Sequence, residues 1–166
     1  MKTLITYYSY SGITAKVIDI FREVLQKKGE VKIQRLKPKQ EITSFISQCL
    51  AARSGKRCEL EDSVLFDVSV YDIIIIGLPV WAFAPVPAIN TYLDKVLGLV
   101  GKKVIILITS GSGTGVNTCF RTLRNILKDK GARDIQEINI PNTKMKERDF
   151  IVSALEKAIS IKGYEK

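Results

Sequence analysis

The chain has 166 residues, a formal charge of +9, 46% apolar and 26% charged residues, which is the composition of one globular domain with a full core. It contains no histidine, so Ser-His-Asp and Cys-His catalytic sets are excluded and the commonest transition-metal ligand is missing. Acid–base work falls to Asp, Glu, Lys, Tyr or Cys, or the chemistry belongs to a bound cofactor.

Helical and strand periods alternate along the chain. Lys2–Tyr8 reads as a first strand. A hydroxyl-rich turn follows, and then a helix over Ile13–Lys28 with Ile13, Val17, Ile20, Phe21, Val24 and Leu25 on one face, closed by Gly29 as C-cap. Val31–Leu36 is a second strand, stopped by Pro38. Ile42, Phe45, Ile46, Cys49 and Leu50 give a short apolar helical face, the core of an insert at about 40–60. Ala51–Val68 is charged and aperiodic, an ordered connection. Ile73–Gly77, with four consecutive isoleucines, suits a central strand of a parallel sheet covered on both faces. Leu78–Pro87 is a proline-rich loop and Ala88–Leu97 a helix. Val104–Thr109 is a fourth, fully apolar strand, and Ser110–Gly115 a glycine-rich loop. A helix carrying Val116, Phe120, Leu123 and Leu127 ends near Gly131. Arg133–Ile140 is the fifth strand and Glu147–Ile161 the closing helix.

Five strands alternating with helices make an α/β doubly wound sandwich. Its five-stranded parallel sheet takes the order 2-1-3-4-5, with helices on both faces, in a single domain over 1–166. In that order the chain reverses direction between the first and third strands, and ligands bind there, beyond the carboxyl ends of the strands. The loops that reach this crevice are Ser9–Thr14, Leu78–Pro85 and Ser110–Gly115, which are also the most unusual loops in the chain.

In the first loop, Ser9, Ser11 and Thr14 offer hydroxyls, and the backbone from Tyr10 through Gly12 and Ile13 to Thr14 offers N–H groups at a helix N-terminus. Gly12 allows close approach. Such a turn suits a phosphate monoester held without cationic side chains. No lysine follows the glycine, so it is not a Walker-type loop; a plain helix-capping turn is the alternative. The second loop, Pro79-Val80-Trp81-Ala82-Phe83, is stiffened by prolines and suits a planar ring, unless Trp81 and Phe83 serve as core or dimer contacts. The third, Ser110-Gly111-Ser112-Gly113, lets amides approach a flat heteroaromatic edge. Its spacing and its place after the fourth strand rule out a dinucleotide fingerprint, and a simple turn is the alternative.

Tyr8-Ser9-Tyr10-Ser11-Gly12-Ile13-Thr14, Gly77-Leu78-Pro79-Val80-Trp81 and Thr109-Ser110-Gly111 together resemble the three FMN loops of the flavodoxin-like family. The resemblance runs from Lys2 to about Ile159, and the Pro-Val-Trp loop is similar to that of small single-domain members with a helical insert before the third strand. It implies that Ser9, Ser11, Gly12 and Thr14 hold the FMN phosphate, that Pro79 to Phe83 flank the isoalloxazine, and that Ser110 to Gly113 meet its pyrimidine edge. Two features depart from typical carriers of the family. They are acidic, whereas this chain is basic, and they often place a glycine beside the flavin N5, where this chain has Ala82, Phe83 and Ala84 after Trp81.

The implied function is that of an FMN-binding redox protein whose chemistry is the flavin's. One version is flavodoxin-like electron transfer with a redox partner protein. Another is an NAD(P)H-dependent FMN quinone reductase with a small acceptor, in which a second subunit could complete the site as a homodimer. A basic adaptor on the same fold without flavin is the third reading. From Arg22 to Arg57, ten Lys/Arg face three Glu. The segment has no aromatic-interleaved stripe, zinc motif or reading helix, so it reads as a solvated basic face and not as a nucleic-acid site. No apolar run spans a bilayer, no signal-peptide pattern opens the chain, and Cys49, Cys58 and Cys119 form no Cys-x-x-Cys pair. The expectation is a cytoplasmic protein with reduced thiols and no metal site, a Cys49–Cys58 bridge being the one pairing left open.

Overall fold

The computed structural model describes residues 1–41 and 44–160, with Phe45 described in its backbone alone. Five strands, β1 (Lys2–Tyr7), β2 (Glu30–Arg35), β3 (Ile73–Pro79), β4 (Lys103–Ser110) and β5 (Asp134–Pro141), form one parallel sheet in the order β2-β1-β3-β4-β5. The helices are α1 (Ile13–Gln26), α2 (Phe45–Arg53), α3 (Pro87–Lys95), α4 (Val116–Asp129) and α5 (Arg148–Ser160), with a 3-10 turn at Asn142–Lys144. This is the doubly wound architecture that the alternating periods predict.

The isoleucine run shows why the sheet lies in the middle. Side chains alternate faces along a strand. Ile73 and Ile75 pack with Ile5, Ile105 and Leu107 beneath α1 and α5. Ile74 and Ile76 pack with Leu4, Val104 and Ile106 beneath α3 and α4. All four are buried, as a strand covered on both faces requires. Leu78 and Pro79 continue β3, and Ser110 closes β4, so the strands run further toward the crevice than hydrophobicity alone indicates. On α1 the buried face is Thr14, Val17, Ile18, Phe21, Val24 and Leu25; Ile13 and Ile20 are only half-buried.

Two local expectations are corrected. Gly29 does not cap α1 in a left-handed conformation; the cap is Lys27, in right-handed geometry. Gly29 is required for space instead, because a Cβ there would lie 2.1 Å from the Met1 carbonyl oxygen, which accepts the Glu30 N–H at 3.0 Å. Two residues of the apolar face expected on α2 point outward, Ile46 being 72% exposed and Leu50 64%, while Cys49 packs against the core and Gln48, Ala51 and Ala52 are buried. Cys49 is half-buried; Ile42 and the side chain of Phe45 lie outside the described residues.

The connection after α2 is held by side-chain to backbone bonds. The Gln34 amide donates to Leu65 O (3.0 Å) and accepts from Leu65 N–H (2.9 Å), in the manner of a further strand along β2. From α3, Asn90 donates to Lys56 O, and Thr91 accepts the Cys58 N–H and bonds the Cys58 carbonyl. The cations of the basic segment are dispersed, and many are paired: Arg22 with Asp19, Lys28 with Glu156, Lys37 with Glu61, Lys39 with Asp62 and Arg57 with Asp94. These are exposed pairs, worth about 0–1 kcal/mol each. The three cysteines are free thiols. No helix among the described residues is long and apolar enough to cross a membrane, and no group of potential ligands that could hold a metal ion is found among them.

Candidate functional site

The crevice lies at the carboxyl ends of β1, β3 and β4, where the chain order reverses. Its first wall is the β1–α1 turn. Gly12 has φ +81° and ψ −5°, a left-handed residue that caps α1 with no side-chain cap. The helix therefore begins abruptly, with its positive end facing the turn. The first helical bond runs from Lys16 N–H to Gly12 O (3.1 Å), and Ala15 N–H donates to Ser9 Oγ (3.3 Å). Ser9 is buried, and accepting this bond leaves its own proton to donate elsewhere. Ser11 is exposed. Thr14 is buried and shares a 2.9 Å hydrogen bond with the Thr109 hydroxyl of β4.

Arg35, at the end of β2, donates from Nη2 to Ser9 O at 2.7 Å. A trans peptide is planar, with its C=O and N–H pointing opposite ways. By holding the Ser9 carbonyl, Arg35 fixes the plane of the Ser9–Tyr10 peptide and sets a guanidinium beside a turn otherwise built from neutral groups.

The second wall is Val80–Ala84. Trp81 N–H donates to Ala84 O (3.4 Å) and Ala84 N–H to Trp81 O (3.0 Å), with Ala82 at φ +46° and Phe83 at φ +72° between them. Positive φ at both central residues matches a type I′ turn, a geometry that normally asks for Asn-Gly. Alanine and phenylalanine adopt it here at a cost of about 1–2 kcal/mol each. Ala82→Gly is expected to stabilise the fold by about 0.5–1 kcal/mol, the relieved strain less the entropy that glycine gains in the unfolded chain. A urea midpoint that fails to rise in this variant would show the turn to be unstrained.

Trp81 is 8% exposed and is clasped edge-to-face by two tyrosines of the β1 end, Tyr8 at 5.7 Å and Tyr10 at 5.9 Å between ring centres. It belongs to the core and lines the crevice at the same time. Behind it, the Tyr8 hydroxyl donates to the Glu41 carboxylate. Burial first, then that hydrogen bond and the carboxylate's charge, push the Tyr8 phenol far above its ordinary range. Tyr8, Gln48, Cys58 and Trp81 border a cavity of about 20 Å³, room for about one water.

The third wall is the end of β4 and its loop. Ser110 is buried and donates to Asn139 Oδ1 on β5 (3.0 Å). Gly111, Ser112 and Gly113 are exposed, and Gly115 (φ +84°) caps α4 as Gly12 caps α1.

Between these walls lies a crevice of about 240 Å³. Ser11 and Ile13 line it from the first loop, Pro79, Val80 and Trp81 from the second, Thr109, Ser110 and Gly111 from the third, and Asn142 from the turn after β5. The structure thus brings together seven of the residues predicted for the site. Ser9, Gly12 and Thr14 shape the turn from behind, Tyr10 covers the edge of Trp81, and Ala82, Phe83, Ser112 and Gly113 form the outer parts of their loops. Sequence reading gave no role to Arg35 and Asn142, and had Thr109 only as the first residue of the third-loop motif. Asn142 was within reach of it, since the end of β5 is a carboxyl end on the same side of the sheet.

The hydroxyl-lined helix N-terminus, aromatic wall and glycine-rich edge stand at the switch point of a doubly wound α/β sheet, the place where proteins of this class carry their ligand sites. The family is more specific. The flavodoxin family model matches residues 2–153, so the chain belongs to the flavodoxin family. No curated protein matches the chain by sequence. Among solved structures, a Bacteroides uniformis protein described as a flavoprotein is 23% identical, with a TM-score of 0.72 over 93% of this chain and 97% of that one. Oxidised flavodoxin 1 from Bacillus cereus is 18% identical, with a TM-score of 0.66 over 96% and 95%. The apo form of an NADH:FMN oxidoreductase is 16% identical, with a TM-score of 0.65 over 96% and 87%. At these identities the structures establish the shared fold.

Proposed function

We propose that the protein binds FMN in this crevice and works as a flavodoxin-like electron-transfer protein. The observation that carries the reading is the convergence of three loops from distant parts of the sequence on one crevice beside the left-handed Gly12 turn. The donor set fits the cofactor. Ser11 and the backbone of the Gly12 turn suit a terminal phosphate, Trp81 with Pro79 and Val80 suits a flat ring, and Ser110, Gly111 and Asn142 suit a pyrimidine edge rich in donors and acceptors. Bound FMN would supply one- and two-electron redox chemistry. The chain's own residues would hold the phosphate, keep water from one side of the ring with Trp81 and its two tyrosines, and leave the ring's edge toward solvent for electron exchange.

Membership of the family and the likeness to flavodoxin 1 support the carrier reading. The likeness to an NADH:FMN oxidoreductase favours an NAD(P)H-dependent reductase as the second reading. The deciding experiment is an absorption spectrum of the FMN-loaded protein followed anaerobically, first with NADPH and then with dithionite. Flavin bands that ignore NADPH and bleach with dithionite in two resolved one-electron steps support the carrier; rapid bleaching by NADPH establishes the reductase. A chain that retains no FMN overturns both.

Arg35 adds a second test of the phosphate end. Its guanidinium is exposed, so its Coulomb effect is screened. Arg35→Ala is expected to weaken FMN binding about 5- to 20-fold through the released Ser9 carbonyl and the lost charge, and to leave riboflavin binding within about twofold. Fluorescence titrations with both flavins check this. An equal loss for both would mean that Arg35 serves the fold and not the phosphate.

A further inference from the structure

Helix α2 holds two of its large apolar side chains in solvent. A surface helix ordinarily buries its apolar stripe; here Gln48, Ala51 and Ala52 face inward, while Ile46 and Leu50 face solvent. Ile46, Leu50 and Arg53 follow the spacing i, i+4, i+7 and share one exposed stripe. The inner face of the same helix reaches the flavin-side aromatic cluster, because Gln48 borders the small cavity with Trp81 and Tyr8. The outer stripe therefore stands about one helix diameter, roughly 10 Å, from the small cavity that Trp81 borders on its other side.

Charge selects the occupant. From Ile42 to Cys58 the chain holds no carboxylate and three cations, Arg53, Lys56 and Arg57. Arg57 is engaged by Asp94, whereas Arg53 and Lys56 make no ion pair among the described residues. A second copy of a +9 chain would bring like charges together at this stripe, and an acidic surface would be drawn to it.

We propose that the Ile46–Leu50–Arg53 stripe docks an acidic protein redox partner and brings the partner's redox centre close to the Trp81 side of the crevice. This rests on the flavin reading above. In the exchange, two partner centres would each give up one electron, bound FMN would accept both, and solvent would supply the accompanying protons.

The test uses the FMN-loaded full chain, with an acidic [2Fe–2S] ferredoxin, reduced beforehand, as the probe. Flavin bleaching is followed by stopped flow over a range of salt. The wild-type rate is expected to fall as salt rises. Arg53→Glu should slow it about 5-fold at low salt and converge with wild type at high salt. Ile46→Ser with Leu50→Ser should slow it about 10-fold at every salt, since it removes the apolar contact. Val70→Ser with Leu97→Ser is the control. It removes two equally exposed apolar side chains at the opposite, amino end of the strands and should leave the rate unchanged.

The proposal is overturned if the α2 variants react like wild type, or if the control slows as much as they do. It is also overturned if sedimentation finds a wild-type dimer that Ile46→Ser with Leu50→Ser dissolves without changing the rate, for the stripe would then bind a second copy. Loss of the flavin reading is seen separately: wild type would show no retained FMN absorbance before any ferredoxin is added, and the docking proposal would fall with it.

Discussion

Ser11→Ala combined with Thr14→Ala is expected to lower FMN affinity about tenfold or more. Ser11 faces the crevice, and a lost hydrogen bond to a charged group removes about 1.5–3 kcal/mol, or roughly 10- to 150-fold in affinity, while Thr14 lies behind the turn and acts by supporting it. The two substitutions act differently on the fold. Ser11 is exposed in the crevice, and its replacement alone should leave the urea midpoint within about 0.5 kcal/mol of wild type. Thr14 is buried against Thr109, so its loss strands the Thr109 hydroxyl and costs about 1–3 kcal/mol of stability. Ser11→Ala therefore reads the site alone, and the double variant reads the site together with its support. Fluorescence titration with FMN, paired with urea unfolding, separates the two. An unchanged dissociation constant in the double variant would remove the phosphate from this turn.

The sheet was legible because its determinants are local and periodic. Four isoleucines in a row, short connections and one hand of crossover lead to the observed order with little freedom left. The carboxyl-end rule then gathers the three loops without any knowledge of side-chain contacts. What stayed hidden depends on long-range contacts that leave no period. The face that α2 buries follows no apolar period: Gln48, Ala51 and Ala52 are buried while Ile46 and Leu50 are exposed, and Gln48 borders one cavity with Tyr8 and Trp81. The connection before β3 is ordered by Gln34, Asn90 and Thr91, whose partners lie about 30 residues away. Gly29 shows a residue type read for the wrong property: the position needs room for the Met1 carbonyl, not left-handed freedom. Arg35 was counted only as one of ten basic residues, and its bond to Ser9 O appears once β2 is laid beside β1 with Arg35 in register with Tyr7.

The second large effect is expected at a position outside the crevice. Gly115 caps α4 at φ +84°, and a Cβ there would stand 2.7 Å from Phe83 Cδ1 and 2.8 Å from Phe83 Cα. A ring can swing aside; a backbone atom cannot. Gly115→Ala therefore adds about 1–2 kcal/mol of left-handed strain to about 1–3 kcal/mol of overpacking, a total loss of about 2–4 kcal/mol after the lower entropy of alanine in the unfolded chain is allowed for. The displacement should fall on the Trp81–Ala84 turn, whose two central residues are already held at positive φ, before it falls on the buried start of α4 at Val116. Trp81 begins that turn, so FMN affinity should drop about tenfold or more, although Gly115 lines no part of the crevice. Gly113→Ala is the matched comparison. It has φ +76° with nothing within 4 Å of its Cβ, so it carries the strain without the clash and should cost about 1–2 kcal/mol with FMN binding retained. Phe83→Ala in the Gly115→Ala background should recover part of the loss by removing the ring contact, with a coupling of about 0.5–3 kcal/mol in a double-mutant cycle. Strict additivity of the two would mean that the glycine-rich loop and the tryptophan loop are energetically independent, and the transmission of strain from one to the other would have to be abandoned.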